Sequence, residues 1–148
     1  MKSSRVVLFL AVAFASFAAQ AADYPAPKQG DWIARDFKFH TGEVIPELRL
    51  HYTTIGDPKG IPVIVLHGTG ASAQSMLTPA FAGELFGPGQ PLDAEKYYII
   101  LPDAVGHGKS TKPSDGLKTK FPEYNYADMV DAQYRLAAEG LIAHDPQH

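Results

Sequence analysis

The sequence contains no cysteine. That excludes disulfides, thiolate metal sites, a cysteine nucleophile and anchoring through a lipid-modified cysteine. Clustered basic charge is also missing. Lys and Arg number 13 against 16 Asp and Glu, for a net charge of −3 over 148 residues, so the chain lacks the electrostatic footprint of a nucleic-acid binder. No apolar run approaches the roughly 20 residues that cross a bilayer core. The longest, Val6 to Ala19, is 14 residues and includes Ser16. Internal repeats and low-complexity segments are absent too. What remains has the length of one domain and, at 45% hydrophobic residues, enough apolar content for an ordinary globular core.

The first 27 residues read "MKSSRVVLFLAVAFASFAAQAADYPAP". Lys2 and Arg5 form a charged start, the run from Val6 to Ala19 a short hydrophobic region, and Ala-Gln-Ala a small-residue cleavage site. Residues 1–21 are therefore expected to be a signal peptide cleaved after Ala21, with export to the periplasm or beyond and no membrane attachment afterwards. Residues 22–34, with Pro25, Pro27 and Gly30, are expected to be an irregular arm. Residues 35–141 form the folded part, and 142–148 an unstructured tail with one proline.

Phe37 and Phe39 alternate with polar neighbours, as do Leu48, Leu50 and Tyr52. Period-two alternation with Thr41-Gly42 and Pro46 between predicts an antiparallel hairpin. Val63 to Leu66 and "YYIILPD", residues 97–103, are continuously apolar, the pattern of strands covered on both faces in a parallel sheet. Ser72 to Phe86 supplies a crossover helix that Pro79 must break or restart. The last element is a helix beginning after Asn125 as N-cap and ending at Gly140 as C-cap. Its apolar face is expected to hold Tyr126, Met129, Val130, Gln133, Leu136 and Ala137. The pattern is α/β.

Chemistry concentrates at "VIVLHGTGAS", residues 63–72. A Gly-x-Gly directly after a buried strand admits three readings. Gly68, Gly70 and Ala73 formally fit G-x-G-x-x-A, a dinucleotide turn. Against it, Pro79 shortens the helix that would receive the pyrophosphate, and the next strand ends at Asp103, far beyond the roughly 20-residue offset expected for the ribose-binding acid. A phosphate loop at "GHGKS" fails because its first glycine would fall at Asp103. The third is an oxyanion loop, in which glycines flanking Thr69 turn the main chain and aim an amide at developing negative charge. His67 then braces the loop by hydrogen bonding. A plain strand-to-helix turn without a donor role stays open on spacing alone.

"VIVLHGTGAS", "YYIILPDAVGHGKSTKPSDG" and "YNYADMVDAQYRLAAEGL" together resemble the N-terminal part of α/β-hydrolase-fold proteins of the homoserine O-acetyltransferase-like type, over roughly residues 31–141. The resemblance implies the N-terminal portion of an α/β-hydrolase fold: an antiparallel hairpin followed by parallel strands with crossover helices, the sheet incomplete. It implies acyl transfer or hydrolysis by a Ser-His-Asp triad without cofactor or metal, on a small acyl ester or thioester. Thr69 corresponds to an oxyanion-hole amide, supported by His67, Gly68 and Gly70. The "GHGKS" loop, with His107 and Ser110, lies near the active-site entrance.

The resemblance places the nucleophile, on a G-x-S-x-G elbow, after the strand that follows the helix ending near Gly140, so the triad is expected beyond residue 148. Ser72, Ser75, Ser110 and Ser114 each lack the flanking glycines. Of the six histidines only His67 and His107 end parallel strands, and two imidazoles without a paired carboxylate make structural hydrogen bonding the better explanation than a metal. His51 is expected to point outward from its strand. Asp103 and Asp128 are explained by solvation or capping. The chain alone is thus expected to be inactive. A non-catalytic exported binding or interaction module is the alternative from another class.

Overall fold

A computed structural model describes residues 23–142; the expected signal peptide with its expected cleavage site, and residues 143–148 of the expected tail, lie outside the described residues. Strand β1 (Lys28–Lys38) pairs antiparallel with β2 (Val44–Ile55). A short strand β3 (Ile61–Ile64) pairs parallel with β4 (Tyr97–Pro102), and β4 pairs antiparallel with β2. The sheet order is β1-β2-β4-β3. This is the predicted hairpin followed by parallel strands, in an open mixed sheet.

The arm expected at residues 22–34 is shorter than the prolines and glycine suggested. Residues 28–34 already belong to β1, in register from Lys28 opposite Thr54 to Ala34 opposite Leu48. Gly30 is no breaker here. A Cβ on it would meet the Tyr52 hydroxyl at 2.5 Å, so glycine makes room for the ring across the ladder. Pro46 also lies inside β2 rather than in the turn. It faces Asp36, which adopts a left-handed φ of 48°, and the side-chain alternation of both strands shifts phase there.

The two faces of the sheet carry separate cores. Leu48 and Leu50 of β2 join Ala34 and Phe37 of β1, and Phe39 just after it, on one face. Ile55, Ile99 and Leu101 lie on the other, with Met76 and Phe86. The register explains the split, because Ile55 faces Ile99 and Thr53 faces Leu101 while the even-numbered residues point the opposite way. Helix α2 (Tyr126–Arg135) covers the first face through Ala132, followed by a π-helical turn, Leu136–Ile142, that adds Leu136. The second face is covered by irregular chain. Between β3 and β4 there is a four-residue 3₁₀ turn, Ala73–Met76, and a four-residue helix α1 (Ala82–Leu85), with Pro79 between them. Pro79 breaks the crossover segment from Ser72 to Phe86 as expected, leaving only these two short pieces in place of a longer helix.

Two further expectations for α2 are corrected. Asn125 is the N-cap, accepting the Ala127 and Asp128 N–H groups, but Gly140 is not a C-cap: the chain passes through it as π-helix. A Cβ at Gly140 would lie 2.8 Å from the Trp32 ring, so the glycine permits close packing of the turn on β1. The buried face of the helix is Asp128, Ala132, Leu136 and Ala137. Tyr126 and Val130, expected inside, are 83% and 63% exposed.

Strand β3 departs from its expected setting too. Continuous apolarity predicted cover on both faces, yet Ile61, Ile64 and Leu66 are exposed. The physical reason is position. β3 pairs on one side with β4 and forms an edge of the sheet among the described residues, whereas β4 pairs on both sides and is buried from Tyr98 onward.

Candidate functional site

The chain leaves β3 through Val65, whose N–H still bonds the Ile100 carbonyl at 2.9 Å, and enters the turn at His67. The His67 ring is held at both nitrogens. Nε2 accepts the Ala104 N–H at 3.0 Å, which places the ring proton on Nδ1, and Nδ1 lies 2.9 Å from the Gly68 carbonyl. One imidazole thus ties the turn after β3 to the chain leaving β4. Gly70, at φ 78°, takes a backbone conformation that L side chains rarely adopt. Ala71 N–H bonds back to the Gly68 carbonyl at 3.1 Å and closes the turn. The N–H of Thr69, inside that turn, has no acceptor among the described residues.

His67, Gly68 and Thr69 form one wall of an open cleft of about 200 Å³. Leu66, Ala104 and His107 line it too, together with Tyr126, Met129, Val130 and Gln133 of α2. Tyr126, Met129, Val130 and Gln133, expected to face the core, therefore line the cleft, while Leu136 and Ala137 are buried as expected. The rings of His67 and His107 lie 5.3 Å apart, tilted by 54°. His107 Nδ1 is 3.1 Å from the Val105 carbonyl. With His67 Nε2 already occupied by an N–H, the pair has no two free nitrogens to offer a cation, and no cluster of three metal-ligating side chains occurs among the described residues.

Ser110, expected with His107 near the entrance, does not line this cleft. It is fully buried, donating from Oγ to the Asp103 carbonyl at 2.6 Å and accepting the His51 N–H at 2.9 Å. Its hydroxyl is spent on holding the loop. The centre of that loop is Asp103, expected to be solvated or capping but in fact buried. Oδ1 accepts the Ala73 N–H at 2.7 Å and Oδ2 the Lys109 N–H at 2.8 Å. Gly108, at φ 51°, gives the carboxylate its space, since any Cβ there would collide with it. The string D-x-x-G-H-G-x-S is thus a loop bonded to itself, and it fastens the segment after the glycine turn to the end of β4. His51, expected to point outward, is buried and bonds Asp31 through Nδ1 at 2.8 Å. Capping does explain Asp128, which accepts the Asn125 N–H at 2.9 Å; it also takes the His40 N–H at 2.8 Å and lies 2.6 Å from the His40 ring.

The dinucleotide alternative finds little support in this geometry. The turn at Gly68-Thr69-Gly70 leads into four residues of 3₁₀ helix rather than a helix N-terminus, and Asp103 is committed to Ala73 and Lys109. Ser72, Ser75 and Ser114 lie at turn starts or in turns, so none stands on a strand-to-helix elbow.

No protein-family model matches the chain. Among curated proteins it is 39% identical over 111 residues to a serine O-succinyltransferase of Emericella nidulans, covering 64% of this chain and 22% of that protein. It is 33% identical over 119 residues to a homoserine O-acetyltransferase of Haloferax prahovense, covering 68% and 29%. Among solved structures, homoserine O-acetyltransferase from Staphylococcus aureus superposes with a TM-score of 0.64 at 23% identity, covering 78% of this chain and 36% of that one. An acetylester hydrolase from Corynebacterium glutamicum superposes with a TM-score of 0.65 at 24% identity, covering 78% and 34%. The chain spans 22% to 36% of the length of these four proteins. In sequence and in fold, the chain matches the N-terminal part of α/β-hydrolase-fold proteins of the homoserine O-acetyltransferase-like type.

Proposed function

We propose that this chain carries the oxyanion side of an acyl-transfer or ester-hydrolysis site, without the nucleophile, and that it is exported after cleavage at Ala21. The observation that carries the reading is the Thr69 N–H: it has no acceptor among the described residues, and Thr69 lines the cleft in a turn that His67 fastens to β4. A preorganised backbone donor beside a partly apolar cleft is what stabilises the oxygen of a tetrahedral intermediate. Likeness to acetyltransferases and to an acetylester hydrolase supports acyl chemistry as the class. In this reading Gly68 and Gly70 shape the turn, His67 supports it, and His107 stands at the entrance. Substrates are small acyl esters or thioesters, and neither a cofactor nor a metal takes part.

Two measurements on the purified chain test this. The monoanion of ethyl methylphosphonate, a stable tetrahedral mimic, should move the Thr69 amide proton downfield saturably, and Thr69→Pro, which removes the donor, should abolish the accompanying shift of the Gly70 amide. An unresponsive Thr69 amide would sink the oxyanion assignment. A fluorophosphonate probe should label no serine and p-nitrophenyl acetate should not be turned over. Covalent labelling of any serine would show that a nucleophile is present after all. Mass spectrometry of protein recovered from the medium or periplasm should find Ala22 as the first residue if the export reading holds, and Met1 if it does not.

A further inference from the structure

The turn that carries Thr69 has little to hold it in the middle. Gly68, Thr69 and Gly70 are exposed, and a Cβ built on either glycine would meet nothing within 4 Å. Its shape therefore depends on its ends, and two adjacent residues leaving β4 grip them. In front of the turn, the Ala104 N–H donates to the His67 ring at 3.0 Å. Behind it, the Ala73 N–H donates to Asp103 Oδ1 at 2.7 Å. Asp103 is only 4% exposed, and the rest of it is tied down as well. Its own N–H bonds the His51 carbonyl at 2.9 Å, its carbonyl accepts from Ser110 Oγ at 2.6 Å, and Oδ2 accepts the Lys109 N–H at 2.8 Å. With every polar group of the residue committed, Oδ1 is a fixed post for the far end of the turn.

We infer that Asp103 is the positioning residue of the Thr69 donor: by anchoring Ala73 it sets where the Thr69 N–H points, without itself touching the bound oxyanion. The inference rests on the oxyanion reading of Thr69 and adds the group that keeps the donor aimed. Its physical basis is preorganisation. A backbone donor stabilises an oxyanion well only if it needs no reorganisation when charge arrives. Freed at Ala73, a turn with two unpacked glycines samples other conformations, and apparent affinity falls with the fraction that still aims the N–H at the cleft. A scaffold role alone has a different consequence, a loss of stability with the aim of the donor unchanged. Charge alone has the opposite one, since removing a carboxylate near an anion site tightens anion binding.

The test titrates the monoanion of ethyl methylphosphonate at pH 7 into the purified chain and its variants, with NMR at the Thr69 amide. Asp103→Ala, which removes both acceptors, should weaken binding at least tenfold, and the Ala73 amide proton should move upfield as its bond is lost. Asp103→Asn turns an NH₂ group toward one of the two N–H groups, and the Ala73 amide reports which. Affinity should fall at least threefold if the Ala73 proton moves upfield and stay within twofold if it does not. Phe37→Leu, in the core on the other face of the sheet, should lower the melting temperature and keep the affinity within twofold. A variant that loses the Ala73 bond but keeps the affinity overturns the inference. So does an affinity lost in Asp103→Asn with the Ala73 bond intact, or lost equally in Phe37→Leu. In each of those cases the parent Thr69 amide still answers the phosphonate and the oxyanion reading stands. A parent amide that stays silent defeats that reading, and the role of Asp103 with it.

Discussion

Asp103 fastens two loops with one carboxylate, each oxygen taking a backbone N–H, one from Ala73 and one from Lys109. Replacing it by asparagine keeps the shape but turns one acceptor into a donor, so an amide N–H is set against an NH₂ group. A buried donor left unpaired costs about 1–3 kcal/mol, and Asp103→Asn should lose that much stability in urea unfolding monitored by circular dichroism. If Asp103 were merely solvated, one of the two roles its sequence context suggested, the substitution would fall within about 0.5 kcal/mol of neutral. Gly108→Ala should be at least as costly, because it combines a strained left-handed φ with a collision against the same carboxylate. At this scale the site was only partly legible. The glycine turn and His67 could be found because strand-then-Gly-x-Gly is a local pattern. The internal bonding of the 103–110 loop pairs residues across seven positions and across strands, and no periodicity reports it.

At the scale of elements, the start of α2 is held to the β1–β2 hairpin by one side chain. Asp128 closes a capping box with Asn125 and reaches over to His40 at the hairpin tip. Burial pushes the Asp128 carboxyl up, but hydrogen bonds from the Asn125 N–H and from the His40 ring and N–H outweigh it and hold the carboxyl below its ordinary value. A depressed folded value means that the ionised clamp stabilises the fold at every pH above the unfolded carboxylate range, near 3.9, and that this contribution disappears as pH falls through the folded value. Asp128→Asn should therefore be less stable than the parent at pH 7, and the gap should narrow below about pH 4. Thermal melts of both proteins from pH 7 to pH 2.5 check this, and a gap that stays constant over the range would remove Asp128 from the account. The elements themselves were legible from the sequence. The hairpin, both parallel strands and the N-cap of α2 follow from alternation, apolar runs and an asparagine. What was misread is which side of the first two turns of α2 meets the sheet, since Leu136 and Ala137 are buried as expected but Tyr126 and Val130 are not. Its apolar residues number enough for two faces, and periodicity alone does not say which is covered by this chain.

For the whole molecule, the apolar surface that this ambiguity hid lies in one place. Ile64 and Leu66 at the edge of the sheet adjoin Val130 and Tyr134 of α2, all of them exposed. Along β3, the N–H groups of Ile61 and Val65 point toward β4, so residues of the other parity, Pro62, Ile64 and Leu66, turn their backbone groups to the open side. Pro62 has no N–H to offer there, which blunts one end of the edge, while Ile64 and Leu66 keep both donor and acceptor unpaired among the described residues. An edge of this kind, flanked by exposed aliphatic and tyrosine side chains, recruits further strands. Concentration-dependent association of the purified chain is the expected behaviour in sedimentation velocity. Ile64→Lys puts a charge on that edge where the parent side chain is 42% exposed, so it should lower the association constant at least tenfold and leave the melting temperature within a few degrees. Lys38→Ala, on β1 at the far side of the sheet, should leave association unchanged. If Ile64→Lys and Lys38→Ala associate alike, the contact is made elsewhere, and the exposed run on β3 and α2 is then simply tolerated in water.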